Sequence, residues 1–359
     1  MKERCLDFFA CPACGGHLHL PFALLRVDGE VKEGVMACLK CTRPFPIVDF
    51  IPIISANSAL FAKPLRFLLT NWRHVSGLKK FFSVLSEPQL NRQELMQTQL
   101  DHFAAEAERY DEEITQSPFW QAVQDLTVIP WSQAVMARGG EVLEIGCGTG
   151  RSTVMLVKAG CRVIATDLCL EVIRLARERI LQKDAELKSI DFTVCEAETL
   201  PFQSPRFNSC VFTGVLHHVV EPKLVLSEIS RVILPGAQIF GYENNASAFR
   251  FLFDFLMKFK RLWHEEAGPQ PLLEGAMVRD WANECALDIR TSSAFFLPPH
   301  FFTQTLVDRT RKILDLSNRF FMAWPWFRDQ GGLLIIEGTK RRMAQPISNE
   351  QTASSQERA

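Results

Sequence analysis

Four cysteines near the start of the chain have the spacing of a metal site. Cys11 and Cys14 form the pair CPAC, Cys38 and Cys41 form the pair CLKC, and 23 residues separate the two pairs. Two such turns can place four thiolates at the corners of a tetrahedron, as in structural zinc sites. A site closed by four sulfurs leaves no position for water, so the bound Zn²⁺ would hold structure and perform no chemistry.

A second group of residues is suited to binding a nucleoside. Gly146, Gly148 and Gly150 follow an apolar strand and precede a helix, and Asp167 ends the next strand, 21 residues after Gly146. Glycines let the backbone turn sharply and approach a ligand, and a carboxylate at that place can accept hydrogen bonds from ribose hydroxyls. The succession of strand, loop, helix, strand and acid therefore predicts a Rossmann-like, doubly wound α/β core.

The loop also distinguishes between two classes of cofactor. A dinucleotide-binding loop reads GxGxxG and cradles a pyrophosphate, whereas this loop reads GCGTG and follows the acid Glu144. In that respect EIGCGTG resembles motif I of class I S-adenosylmethionine-dependent methyltransferases, whose ligand carries no phosphate. The resemblance implies S-adenosyl-L-methionine as the cofactor, bound by the three glycines together with Glu144 and Cys147.

Later segments are similar to the same methyltransferase family, in the same order. CEAETLPF is similar to the segment after the third strand, FNSCVFTGVLHHV to the fourth strand and its loop, and FAAEAERYD to the helix that closes over the cofactor. The resemblance covers about residues 101 to 245 and is closest to quinone-biosynthesis and small-molecule methyltransferases. It implies that Glu196, where Asp is more usual, faces the adenine amino group. The remaining cofactor-binding candidates that it implies are Ala197, Leu168, Thr213, Phe103 and Tyr110.

Three further residues are candidate bases. Methyl transfer needs an aligned nucleophile, and it needs a base only where the acceptor must lose a proton. His217 and His218 lie just past the fourth strand, and Glu243 ends the fifth. Because ligands of such sheets bind beyond the carboxyl ends of the strands, all three can line the site. A structural role for at least one of the two histidines is the alternative.

The first 55 residues resemble a different family. CPACGG, CLKC and FPIVDFIPII are similar to the small zinc-knuckle proteins that act as activating subunits of tRNA, rRNA and release-factor methyltransferases. Six basic and six acidic residues in this part of the chain leave no excess of positive charge with which to bind phosphates. We therefore predict a zinc-ribbon-like β module that serves as a scaffold or docking domain.

We divide the chain into five parts. They are the zinc module (1–55), a helical connector (56–100), the cofactor-binding core (101–245), an aromatic helical cap with the last strands (246–340) and a polar tail predicted to be disordered (341–359). Residues 56–86 contain five Lys or Arg and no acid. They can contact an anionic membrane surface or a protein partner, or pack as a linker helix on the next domain. The phenylalanines of the cap either form an apolar wall for the acceptor or fill the core of the cap.

Composition limits the remaining functions. The formal charge of −1 over 359 residues means that the chain as a whole has no excess of positive charge with which to bind nucleic acid. Eleven cysteines without a leader peptide indicate reduced thiols and a cytoplasmic location. We predict a methyltransferase that acts on a small hydrophobic acceptor. The alternatives are an RNA or protein methyltransferase whose zinc module recognises the macromolecule, and a non-catalytic partner protein with a cofactor fold.

Overall fold

Two β-sheets from different parts of the chain organise the structure. One has four strands and the other has seven. The computed structural model describes residues 1–56, 62–72, 75, 78, 109, 112, 114–182, 189–203, 205–247 and 272–342. The candidates Phe103 and Tyr110, most of the predicted connector and the predicted disordered tail beyond residue 342 lie outside the described residues.

The N-terminal sheet is antiparallel throughout. After a short 3-10 turn, Glu3–Asp7, its strands are β1 (Leu18–Val27), β2 (Glu30–Cys38), β3 (Pro44–Val48) and β4 (Ile51–Pro52). The first helix, α1 (Ala62–Asn71), packs back onto this sheet, with Leu68 buried against Val35 and Val48. The described start of the predicted connector therefore packs on the zinc module that precedes it.

The second sheet has the order β10-β11-β9-β8-β5-β6-β7. Its strands are β5 (Glu141–Ile145), β6 (Arg162–Asp167), β7 (Ile190–Val194), β8 (Phe207–Thr213), β9 (Ile233–Asn244), β10 (Leu287–Ala294) and β11 (Leu333–Lys340). Strands β5 to β9 are parallel, and β11 runs antiparallel to both β9 and β10. The strand order reverses between β5 and β8, and ligands of open α/β sheets bind at such a switch point. The predicted class I methyltransferase fold is confirmed.

Amphipathic helices cover this sheet. They are α2 (Pro118–Leu126), α3 (Val128–Arg138), α4 (Arg151–Lys158), α5 (Leu170–Gln182), α6 (Pro222–Val232), α7 (Gly275–Glu284) and α8 (Val307–Met322). Helix α6 shows why: it buries Val225, Leu226, Ile229 and Val232, which share one face of a 3.6-residue helix. No helix in the described ranges has both the length and the apolar character needed to cross a bilayer.

The zinc module is joined to the outer edge of the second sheet. Ile53, just past β4, forms a parallel bridge to Val194 at the end of β7, and Phe9 forms an antiparallel bridge to Phe202. The rings of Phe9 and Phe202 stack with their centroids 6.0 Å apart. All four residues belong to one hydrophobic cluster that also contains the centre of the second sheet. The two modules therefore share a core.

Ion pairs reinforce this junction. Asp191 of β7 is only 6% exposed, and its carboxylate lies 3.2 Å from Lys2 Nζ and 3.0 Å from Arg4 Nη2. Arg174 of α5 lies 2.6 Å from the carboxylate of Asp49 in the zinc module. Cations and anions are thus contributed from both sides of the boundary.

The described phenylalanines of the predicted cap differ in burial. Phe295 and Phe302 are buried against Phe119 of α2 and so fill a second core beneath α8. Phe296 is buried as well, whereas Phe301 and Phe320 are exposed. The buried residues match the alternative in which the aromatic residues serve as cap core, while five of the thirteen phenylalanines between residues 240 and 327 lie outside the described residues.

Candidate functional site

The four predicted metal ligands meet at one end of the N-terminal sheet. The sulfur atoms of Cys11, Cys14, Cys38 and Cys41 all lie within 4.8 Å of one another. The pairs Cys11–Cys41 and Cys14–Cys38 have Sγ–Sγ distances of 3.6 and 3.5 Å. Sulfurs bound at about 2.3 Å to one tetrahedral zinc lie about 3.8 Å apart. The cluster therefore fits structural Zn²⁺ closely.

The surroundings of the cluster are also those of a metal site. Two backbone N–H groups, of Lys40 and Cys41, donate to Cys38 Sγ at 3.3 and 3.4 Å. A Cβ at Gly16 would lie 2.8 Å from the same sulfur, so only glycine leaves room there. The nearby histidines face other groups: His17 Nδ1 lies 2.7 Å from the Gln203 amide, and His19 Nδ1 lies 2.9 Å from the Ala37 carbonyl. They stay outside the set of ligands.

The glycine loop and Asp167 are joined at the carboxyl ends of β5 and β6. The N–H of Gly148 donates to Asp167 Oδ2 at 2.9 Å, and the N–H of Cys169 donates to Oδ1 at 3.0 Å. Burial raises the pKa of Asp167, and these two N–H groups oppose the rise. Gly146 has φ of +66°, and a Cβ there would lie 2.4 Å from Val215 Cγ2. Only glycine fits this turn, which brings the loop and the predicted ribose-binding acid together.

Glu144 lies beneath the loop and faces the interior of the chain. It is 2% exposed, and its Oε2 accepts a hydrogen bond of 2.7 Å from the hydroxyl of Thr153 in α4. Burial raises the pKa of Glu144 from its ordinary value of 4.5 to about 8, against the effect of the Thr153 bond. Its observed contact therefore ties β5 to α4. Thr153 was not among the sequence-based candidates, although a hydroxyl in the first turn after a glycine loop is a recognisable signal.

Glu196 lies just past β7 and is held by two hydroxyl groups. Its Oε2 accepts from Ser55 Oγ at 3.1 Å and from Thr199 Oγ1 at 3.0 Å. The carboxylate is half-buried. Thr199 is close in sequence, but Ser55 comes from the zinc module, 141 positions earlier. No pattern in the sequence links Ser55 to Glu196.

The candidate bases are brought together past β8 and β9. His217 Nδ1 lies 2.7 Å from Glu243 Oε2, and His217 Nε2 lies 3.3 Å from the amide nitrogen of Asn244. Glu243 is 0% exposed, and its Oε1 accepts the N–H groups of Val215 and Leu216, both at 2.8 Å. This geometry makes Glu243 the group that orients His217 and holds the turn after β8.

The other candidates occupy the same edge of the sheet. The ring of His218 lies with its centroid 4.0 Å from that of His217. Leu168, Thr213 and Ala197 are half-buried at the ends of β6, β8 and β7 respectively, whereas Cys147 is buried. Asn244 was missed, although its position next to Glu243 at the end of an apolar strand could have indicated it.

Comparison with known proteins identifies two parts of the chain. Residues 143–241 match the family described as a methyltransferase domain, and residues 2–49 match the family described as Trm112p-like protein. In a solved complex that contains the Haloferax volcanii Trm112 methyltransferase activator, one chain is 18% identical over 69% of this chain and 100% of that one, with a TM-score of 0.48.

Two curated relatives resemble the core. The ubiquinone biosynthesis O-methyltransferase of Xanthomonas campestris pv. campestris is 29% identical over 43% of this chain and 63% of that protein. The demethylmenaquinone methyltransferase of Clavibacter sepedonicus is 32% identical over 30% of this chain and 43% of that protein. The chain thus spans less than two thirds of the length of these relatives. The two family matches nonetheless agree with the predicted resemblances: residues 143–241 form a methyltransferase domain and residues 2–49 a Trm112p-like domain.

Proposed function

We propose that the protein is an S-adenosylmethionine-dependent methyltransferase whose acceptor is a small hydrophobic molecule. The observation that carries the proposal is the bond between the Gly148 N–H and the Asp167 carboxylate at the carboxyl ends of β5 and β6, beside the switch point of the sheet. It sets a glycine turn and an anionic acceptor side by side, which suits a ligand that has a ribose and no phosphate.

The roles of the cofactor residues follow from their groups. Asp167 would accept the ribose hydroxyls, Glu196 the adenine amino group, and Gly146, Gly148 and Gly150 would let the backbone approach the ligand. The bound cofactor supplies a methyl group already activated by its sulfonium. The protein then has to align the acceptor in line with that methyl group and exclude water.

We infer that His217 removes the proton from a hydroxyl acceptor. Nδ1 of His217 lies 2.7 Å from Glu243 Oε2, and Nε2 faces the Asn244 amide nitrogen at 3.3 Å. The hydroxyl of the acceptor would replace that amide at Nε2, and the imidazolium formed by proton uptake there would be stabilised by the buried carboxylate. Glu243 is fully engaged with His217 and two backbone N–H groups, so it acts as a positioning residue. His218 is the second candidate, because its ring lies beside that of His217.

The class of acceptor is inferred from the relatives. Those matched by the core are named for ubiquinone biosynthesis and for demethylmenaquinone, and quinones of this kind are hydrophobic. The zinc module carries no excess of basic residues, which disfavours a nucleic-acid acceptor. All eleven cysteines are unpaired, so we infer a reducing compartment such as the cytoplasm.

The proposal is tested with cofactor that carries a labelled methyl group. The purified full-length chain is incubated with this cofactor and a bacterial extract, and the label is then measured in the lipid-soluble, RNA and protein fractions. We expect it in the lipid-soluble fraction, and not with a folded Gly146→Ala control, in which a Cβ would collide with Val215. Label in the RNA or protein fraction would instead support a macromolecular acceptor. Absence of cofactor binding by calorimetry would indicate a non-catalytic partner protein.

The base is tested with the acceptor that this experiment identifies. His217→Asn should lower kcat by about 10²- to 10⁴-fold with little change in the KM of the acceptor. His218→Asn tests the second candidate in the same assay. A loss of kcat confined to His218→Asn would assign the base to His218, and equal losses in both variants would assign His217 a structural role.

A further inference from the structure

The zinc module reaches the cofactor site through the few residues that follow β4. Ile53 pairs with Val194, and the N–H of Ile54 donates to the Val194 carbonyl at 2.9 Å. Ile53, Ile54 and Ser55 are all 0% exposed. This short parallel pairing carries the chain along β7 and delivers Ser55 to the turn in which Glu196 lies.

Ser55 contacts a residue whose orientation matters for cofactor binding. Its hydroxyl donates to Glu196 Oε2, the same oxygen that accepts the Thr199 hydroxyl. Glutamate has one more rotatable bond than the aspartate that is more usual at this position. Holding it in one orientation therefore costs more side-chain entropy, and two donors on one oxygen offset that cost before the ligand arrives.

We propose that Ser55 is a positioning residue for recognition of the adenine base. It fixes the Glu196 carboxylate, so that the zinc module, and not the methyltransferase core alone, sets the affinity and the base selectivity of the cofactor site. The proposal rests on the proposed function, because it requires the chain to bind S-adenosylmethionine with Glu196 facing the adenine amino group. If Ser55 only stabilised the junction between the modules, loss of its hydroxyl would lower the stability of the chain without changing its preference for one base over another.

The test compares two ligands that differ in one group of the base. S-adenosylhomocysteine carries the amino group, and S-inosylhomocysteine carries an oxygen in its place. Calorimetry on the zinc-loaded full-length chain should show Ser55→Ala raising the Kd of the adenine ligand about three- to tenfold, the effect of one ordinary hydrogen bond. The Kd of the inosine ligand should stay unchanged. Ser55→Thr keeps the hydroxyl and should restore the adenine affinity.

Three further substitutions keep the result interpretable. Thr199→Ala removes the other donor to Glu196 from within the turn itself and should shift the selectivity in the same direction, even if Ser55→Ala fails to fold. Ser317→Ala removes a hydroxyl that bonds the Leu314 carbonyl in α8 and should change neither Kd. In a Glu196→Ala background, loss of the Ser55 hydroxyl should have no additional effect.

The outcomes separate this inference from the proposed function. If the wild-type chain binds neither ligand, both the positioning role of Ser55 and the methyltransferase proposal are wrong. If it binds S-adenosylhomocysteine, but Ser55→Ala changes neither affinity or weakens both ligands equally, the positioning role is overturned while the methyltransferase proposal stands.

Discussion

The zinc cluster and the proposed cofactor site, which comprises the glycine loop and Asp167, both lie in glycine-containing turns next to strands, but they are completed by different groups. In the zinc cluster four side chains supply all the ligands, within 4.8 Å of one another. At the cofactor site the backbone supplies most of the shape: three glycines with positive φ, and N–H groups that hold Asp167. Residue types therefore define the first site, and backbone geometry together with distant partners defines the second.

The junction makes the two regions dependent on each other. Asp191 of β7 is neutralised by Lys2 and Arg4 from the zinc module, and Phe9 stacks on Phe202. Arg162 of β6 is the third cation near Asp191, at 3.8 Å, so loss of the module would remove two of the three cations that pair with this carboxylate, together with the apolar packing of Phe9. We therefore expect the loss of zinc to disturb the packing of the proposed cofactor site as well.

The largest effect should come from removing a zinc ligand. Cys38→Ser takes away a sulfur that two backbone N–H groups also contact. Structural zinc in small modules contributes about 10–16 kcal/mol of binding free energy to folding. Metal analysis should therefore show about one zinc per wild-type chain and almost none in the variant. Because the modules share a core, the thermal midpoint of the whole chain should also fall.

A cysteine outside the cluster provides the control for this prediction. Cys285 is partly exposed at the end of α7. The Cys285→Ser variant should therefore keep its zinc and have the same thermal midpoint as the wild type. If Cys38→Ser lost zinc while hydrogen exchange in β7 stayed at the wild-type level, the two regions would be independent of each other, contrary to the shared core.

The same contrast explains what the sequence could predict. The zinc ligands were found because their spacing is local, and strand β6 was found together with its terminal Asp167 because apolar runs and glycines are local as well. The bond from Ser55 to Glu196 spans 141 positions, and the stacking of Phe9 on Phe202 spans nearly 200. Such contacts depend on how the modules dock, and periodicity within a segment carries no information about docking.

The packing of the connector was beyond prediction for a related reason. Its basic and aromatic composition indicated a helix and left open a membrane surface, a protein partner or the next domain as the surface that it contacts. In the structure, Leu68 of α1 packs onto β2 and β3 of the zinc module. An apolar helix face specifies that it will be buried, while the surface that buries it is determined by the fold as a whole.

A pH-dependent effect of intermediate size is expected beneath the glycine loop. Burial raises the pKa of Glu144 from 4.5 to about 8, so the native chain retains a proton that the unfolded chain releases. Between those two values the free energy of unfolding should fall as pH rises, by up to about 1.4 kcal/mol for each pH unit. Below pH 4.5 the contribution is fully present.

Glu144→Gln separates this titration from all others. The amide keeps an oxygen for the Thr153 hydroxyl and carries no proton that titrates in this range. Urea unfolding at pH 5, 6.5 and 8 should show a shallower fall for the variant than for the wild type. Parallel profiles would mean that Glu144 is ionised in the native chain.

The smallest of these effects should come from Asp167, the proposed ribose-binding residue. It tests whether the Asp167 side chain contacts the cofactor or only holds the backbone of the glycine loop. Asp167→Ala removes an acceptor of ribose hydroxyls and should weaken S-adenosylhomocysteine by about 1–3 kcal/mol, or roughly five- to 150-fold in Kd by calorimetry. The same change frees the Gly148 N–H, so a disordered loop could mimic this loss.

An analogue without the two ribose hydroxyls separates the causes. If the carboxylate binds the ribose, the analogue should bind the wild type and the variant about equally. If Asp167 acts only by holding the loop, both ligands should weaken together, and the side chain would then contribute to the backbone geometry of this site without contacting the ligand.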